Sequence, residues 1–277
     1  MRPDGTDVHV VAQIRSEPFF LPLAPSWSPG GRLIAFVAQC GVPVEFALCV
    51  MNADGTGMRT LVPGPVALIP PSWSPDGTRL AFERAADADH SIHIVAADGT
   101  GETTLVERGQ QPAWSPDGTR IAFADDQAGT GQIFLIDPDG SGLVRITDGP
   151  HDKSPAWSPD GRRIAFSSGR AGKPEFVPDP ARRDPELDPQ TNLRPPRPAD
   201  DIYVMQADGS GAVRLTDDPS DNVSAAWSPD GTRIAFASAR DGDFELYVMN
   251  ADGSGETRLT RVRGSDGDPS WTSGRDG

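Results

Sequence analysis

Cysteine, histidine and long apolar runs are scarce in this chain, and each scarcity excludes something. No stretch of eighteen apolar residues exists, so no membrane-spanning helix and no membrane insertion is expected. The first thirty residues lack a basic start followed by a long apolar stretch. Phe19-Phe20-Leu21 is short and is broken by Pro22, so no export signal is expected as the chain is written. Positive charge is also short: a net charge of -15 argues against a nucleic-acid partner, which needs clustered Lys and Arg. Of the four histidines, His90 and His93 lie three apart in a probable strand, on opposite faces, with no third ligand at metal spacing. No metal and no cofactor is expected. A Gly-x-Ser-x-Gly nucleophile elbow, a phosphate loop leading into a helix and the twelve-residue calcium loop are all missing. If Cys40 and Cys49 flank a hairpin turning near Gly41 to Val44, Cys49 faces Phe36 and Cys40 faces Glu45. The sulfurs then lie on the order of 13 Å apart, and no disulfide is expected.

What the chain has in quantity is punctuation, with 30 glycines and 28 prolines in 277 residues. They recur at fixed places, which marks turns rather than disorder. Asp precedes Gly at Asp54, Asp76, Asp98, Asp117, Asp139, Asp160, Asp208, Asp230 and Asp252, so much of the negative charge is turn chemistry.

All six tryptophans fall in register. Trp27, Trp73, Trp114, Trp157, Trp227 and Trp271 are spaced 46, 41, 43, 70 and 44 residues apart. Each of the first five is followed by Ser-Pro, then Asp-Gly (Gly30-Gly31 in the first copy), and nine residues on by Phe36, Phe82, Phe123, Phe166 or Phe236. An apolar run closed by Asp-Gly comes next, then a short segment such as Arg145-Ile146-Thr147 or Arg214-Leu215-Thr216. Each unit therefore reads as four short strands. Pro pre-sets one turn dihedral, Asp bonds its own backbone and Gly takes the left-handed position, so the first two strands are antiparallel neighbours. Asp-Gly-Ser-Gly does the same between the third and fourth. Continuous apolar runs such as Ile234-Ala235-Phe236 indicate strands buried on both faces. Four strands in 41 to 46 residues is the sign of a β-propeller.

Trp-Ser-Pro-Asp-Gly-Thr-Arg-Ile-Ala-Phe (Trp227 to Phe236), followed by Leu246 to Gly255, resembles the WD-repeat-like module of the TolB family. It is also similar to the propellers that precede the hydrolase domain in dipeptidyl-peptidase-type enzymes. The resemblance covers nearly the whole chain and implies an all-β, six-bladed propeller that binds partners, with no chemistry in the repeat residues. It further implies envelope work, periplasmic if a leader exists outside this sequence and cytoplasmic otherwise.

The repeat departs from regularity in two places. After Trp271 the chain reads Thr-Ser-Gly-Arg-Asp-Gly, so the sixth blade is expected to be thin or incomplete, as part of a single domain over 1–277. The long interval places a proline-rich insertion of roughly 27 residues at 173–200, inside blade four, expected to be a mobile surface loop.

Function is then expected where the units differ. Both repeated turns fall on one face of the disc, and the opposite face carries the variable loops. Counting back five from each Trp gives Pro22, Leu68, Gly109, Asp152, Asn222 and Asp266. One side of this mouth is apolar, with Phe19, Phe20, Leu21, Leu68 and Ile69. The other is polar, with His151, Asp152, Asp221, Asn222, Asp266 and Asp268 as candidate binding residues. Such a mouth suits an amphipathic or cationic peptide. The chain is therefore expected to be a monomeric, non-enzymatic scaffold that holds a protein or peptide. The alternatives are a lyase or hydrolase working in the channel, for which His151 and Asp152 are the only acid-base pair on offer, or the gating propeller of a separate hydrolase.

Overall fold

The computed structural model describes residues 23–39, 45–86, 89–125, 131–171, 199–261 and 264–271. Their strands form five four-stranded antiparallel sheets, each in sequence order from the inside outwards. Blade one holds β1 (Leu23–Trp27), β2 (Leu33–Ala38), β3 (Ala47–Asn52) and β4 (Arg59–Val62). Blade two holds β5 (Ser72–Trp73), β6 (Arg79–Ala86), β7 (Asp89–Ala96) and β8 (Thr103–Val106). Blade three holds β9 (Gln110–Trp114), β10 (Ile121–Asp125), β11 (Gln132–Ile136) and β12 (Val144–Arg145). Blade four holds β13 (Asp152–Trp157), β14 (Arg163–Ser168), β15 (Asp201–Gln206) and β16 (Val213–Arg214). Blade five holds β17 (Asn222–Trp227), β18 (Arg233–Ser238), β19 (Glu245–Asn250) and β20 (Thr257–Arg258).

The Trp-Ser-Pro-Asp-Gly turn works as a closed set of hydrogen bonds. In blade five Ser228 Oγ donates to Asp230 (2.6 Å), which also accepts the Thr232 backbone N–H (3.0 Å), while Arg233 N–H donates back to Ser228 Oγ (2.9 Å). The same set recurs at Ser74 to Arg79 and Ser115 to Arg120. Its proline also joins blades: a Cβ on Gly118 would sit 3.1 Å from Pro75 Cγ, so the turn of one unit packs on the proline of the unit before.

The repeat tryptophans bind neighbouring blades together. Trp157 Nε1 donates to Ala113 O (3.1 Å), Trp227 Nε1 to Ala156 O (3.2 Å) and Trp73 Nε1 to Ser26 O (3.1 Å). Trp114 is the exception, its Nε1 buried without a hydrogen-bond partner. Phe36, Phe82, Phe123, Phe166 and Phe236 are fully buried at the centres of their blades. Each is worth about 3–5 kcal/mol against Ala at such a site.

Five complete blades correct the expectation of six. Trp271 does continue the series, with Nε1 donating to Ala226 O (3.1 Å), and Asp266 N–H donates to Phe244 O (2.7 Å). Residues 264–271 thus lie against blade five where an inner strand belongs. They pair with no second strand among the described residues. One tryptophan-centred segment supplies inner-strand packing but none of the ladder that makes a blade.

A second correction concerns Cys49, which is disulfide-bonded, the chain's one other cysteine being Cys40. The expected pairing of Phe36 with Cys49 is present, but the ladder ends at Ala38 and Ala47. The ladder therefore gives no register for Cys40, which lies outside the described residues. The insertion expected at 173–200 falls, up to residue 198, outside the described residues. Its flanking strands pair without interruption from Arg163–Gln206 to Ser168–Asp201.

Candidate functional site

The strand order places the β1–β2 and β3–β4 types of turn on one face, and the loops between second and third strands and between blades on the other. On that second face, the residue five before the Trp has a backbone task in four of the six units. Gly109 N–H donates to His90 O (3.1 Å), Asp152 N–H to Gly131 O (2.9 Å) and Asn222 N–H to Asp200 O (2.9 Å). The inner strands of blades three, four and five are thereby tied to the preceding blade.

The predicted side chains divide sharply here. Asp152 is 0% exposed, paired with Arg170 Nη2 (2.6 Å) and accepting from Ser168 Oγ (2.6 Å). Asn222 is also fully buried, donating to Asp218 (2.8 Å) and accepting from Arg240 Nη2 (3.0 Å). Asp221 is half-buried and accepts the Asp200 N–H (2.9 Å). His151 is half-buried, and its φ of 60° places its backbone beside Gly131. Asp266 is half-buried overall, with Oδ2 buried and unpartnered. Of the six, only Asp268 lines the axial cavity. Leu68, by contrast, is 48% exposed and Ile69 lines the cavity; Phe19, Phe20, Leu21 and Pro22 lie outside the described residues.

The arginines of this face are likewise engaged. Arg170 lies over Phe166 (5.1 Å) and Tyr203 (5.3 Å), and Arg240 over Tyr247 (4.5 Å), each reaching from its own blade to the buried polar ring. In blades four and five, Arg with carboxylate or amide closes the blade end in one network.

The axial cavity, about 300 Å³, is built from residues one to three before the tryptophans. Three before the Trp, the backbone is left-handed at five of six units: Ala24 (φ 54°), Gln111 (56°), Ser154 (52°), Ser224 (57°) and Asp268 (49°). The remaining unit has Pro70, whose ring forbids it. Positive φ at a non-glycine costs about 1–3 kcal/mol and recurs where a strand must re-aim a side chain. Ladder registers shift at this point in β1, β9, β13 and β17. The bulge turns the residue at this offset towards its neighbours around the axis. Glu83 Oε2 accepts Gln111 N–H (2.8 Å), Gln111 Oε1 accepts Ser154 N–H (2.8 Å), and Ser224 Oγ donates to Asp268 Oδ1 (3.0 Å). The rest of the wall is largely proline and tryptophan: Pro25, Pro71, Pro112, Trp114, Pro155, Trp157 and Pro269.

Two carboxyls here are pushed upwards by burial. Asp268 is raised despite the hydrogen bond from Ser224, and Glu83 is raised despite those from Gln111 and His90. Sequence reasoning missed Gln111, Ser154, Ser224 and Glu83. Counting back three rather than five from each Trp would have found the first three. Glu83 stands ten after its Trp, where the other units carry Val37, Ala124, Ser167 and Ala237. No group of three or more His, Cys, Asp or Glu fit to hold a metal occurs among the described residues.

Radial four-stranded blades around a cavity walled by their innermost strands define a β-propeller with an axial site. More narrowly, the chain belongs to the TolB beta propeller domain family, whose model matches residues 33–179 and 197–277. Curated relatives include the Tol-Pal system protein TolB of Xanthomonas campestris pv. campestris, 34% identical over 79 residues, and that of Thioalkalivibrio sulfidiphilus, 36% identical over 63. These alignments take in 27% and 23% of this chain and only 18% and 14% of the relatives. Among solved structures, TolB from Acinetobacter baumannii superposes with a TM-score of 0.70 at 18% identity, over 91% of this chain and 57% of that one. An oligogalacturonate lyase in complex with manganese superposes at 0.56 with 14% identity, over 86% and 64% of the two chains. At such identities the likeness is one of fold alone.

Proposed function

We propose that this chain is a non-enzymatic binding propeller that holds a protein or peptide segment at the axial mouth of its variable face. The observation that carries this is the contrast at the axis. Inner strands otherwise built alike present different side chains there, from a strained backbone, around a cavity lined by Ile69, the sequence neighbour of exposed Leu68. Strain kept in five units, on the face without repeated turns, points to a site rather than a packing device. The relatives' place in a system named Tol-Pal supports a protein partner. His151 and Asp152 do not support the enzymatic alternative, because the Asp152 carboxylate is held by Arg170 and Ser168. A protein extracted from the bacterial envelope should be captured by the wild type. Capture should fall with Leu68→Asp and persist with Thr119→Asp on the turn face; equal capture by both variants would refute the placement.

The disulfide at Cys49 supports an oxidising, extracytoplasmic compartment, where such bonds persist. Protein denatured in the presence of a thiol-reactive polyethylene glycol should take up none of it until a reductant is added. Labelling without reductant would place the chain in a reducing compartment.

A further inference from the structure

Four carboxylates buried on the variable face have cationic partners. Asp152 meets Arg170 (2.6 Å), Asp201 meets Arg214 (2.9 Å), Asp200 meets Lys153 (2.7 Å), and Glu245 meets Arg258. Asp268 differs. It lines the axial cavity, and its described contact is a single neutral hydroxyl, Ser224 Oγ at 3.0 Å. No Arg, Lys or His is among the residues that line this cavity. An ionised carboxylate in a partly desolvated, proline-walled space is costly unless something pairs with it, and no such partner lines the cavity among the described residues.

We propose that the axial cavity is a seat for one basic side chain of the bound segment, with Asp268 as its counter-ion. This rests on the binding role proposed above and names the chemistry of what enters. The cavity's size, about 300 Å³, is at the small end of ligand sites and suits one inserted side chain better than a folded element. Its construction matches both halves of such a group. Pro112, Pro155 and Pro269 offer apolar walls to an aliphatic stem, and the carboxylate sits among Ser and Gln groups that can accept further N–H donors. Ser224 holds one carboxylate oxygen, which orients the other for the incoming charge. Burial also holds the Asp268 proton more tightly than usual, and a cation entering the cavity should reverse that shift.

The test uses agmatine, a four-carbon stem with a guanidinium at one end and an ammonium at the other, against N-butylurea, whose urea head is planar and of similar reach but uncharged. Binding is followed through the indole NMR signals of Trp114 and Trp157, which line the cavity. Agmatine should shift both and N-butylurea neither. Asp268→Asn or Asp268→Ser should weaken agmatine by at least about tenfold, as expected for loss of a charge-assisted pair. Two neutral variants are used so that misfolding of one leaves the other readable. Ser224→Ala, which keeps the carboxylate but removes the hydroxyl that orients it, should weaken agmatine less than either neutral variant. Equal binding of N-butylurea, unchanged agmatine affinity in a folded neutral variant, or unmoved indole signals would each overturn the cation seat. Partner capture that remains sensitive to Leu68→Asp in those cases would leave the wider binding role standing.

Discussion

The two faces of this propeller use carboxylates in opposite ways. On the turn face Asp54, Asp98, Asp139, Asp208 and Asp252 are exposed, and each is answered by a Ser or Thr hydroxyl and backbone N–H two residues on. These bonds hold their carboxyls below the ordinary range, and Asp76 and Asp230 fall to about 2. On the variable face Asp152, Asp200, Asp201 and Glu245 are buried and answered by arginine or lysine, whereas the described contact of half-buried Asp268 is a serine hydroxyl. The lesson is that acid repeated in every unit is architecture, and acid that breaks the repeat marks the site. A chain with net charge -15 need not carry an acidic docking face at all, since much of its acid closes hairpins.

The largest effect is expected where a buried pair is broken. Asp152→Ala removes a fully buried carboxylate and leaves the partly buried Arg170 unpaired, and should cost about 3–5 kcal/mol in urea unfolding. A loss under about 1 kcal/mol would mean that Asp152 is as solvated as the turn aspartates.

Next comes a contrast within one turn. A Cβ on Gly209 would meet the Ile146 carbonyl oxygen at 2.1 Å with φ at 89°, whereas one on Gly211 would meet nothing within 4 Å at φ 65°. Gly209→Ala should therefore lose more than about 2 kcal/mol and Gly211→Ala about 1 kcal/mol. Equal losses would show that the turn, not the blade-to-blade contact, sets the cost.

The smallest effects are in the pH dependence, and there the two faces differ in sign. Asp76 and Asp230 are depressed in the folded state, so the stability they contribute is complete above about pH 4 and is lost as pH falls towards 2. Asp268 is raised, so the folded state binds its proton more tightly than the unfolded one. Its contribution favours folding at low pH and declines as pH rises from the ordinary carboxyl value through the raised one. Carboxyl ¹³C titration should find Asp268 above 3.8 and the two turn residues near 2. Neutral-pH stability should not fall in Asp268→Asn; a marked fall would show that the carboxylate is structurally paired.

Much of this was legible in the sequence because turns are local. Ser-Pro-Asp-Gly and the phenylalanine nine after each Trp specify a hairpin and its buried rung within one unit, so strand order and core followed directly. The number of blades did not follow, because Trp271 fixes an inner strand but cannot supply neighbours for it. The cavity was legible only in part. Asp268 could be picked out as acidic near the axis, but Asp152 and Asn222 share its neighbourhood in sequence and are claimed by Arg170 and Arg240, eighteen residues away in each case. Those pairings depend on where a loop returns the chain, which no motif records. The left-handed bulge was hidden for a different reason: Gln, Ser and Asp are ordinary strand-end residues, and only their common offset from Trp reveals them.

The account turns on the variable face being the one that binds, and a photo-crosslinking amino acid placed at one position per face tests this most directly. At Leu68 it should give a covalent adduct with a protein or peptide partner in cells, and at Thr119 on the turn face it should give none. Adducts from Thr119 with none from Leu68 would contradict the account and move the binding site to the face that the repeat builds.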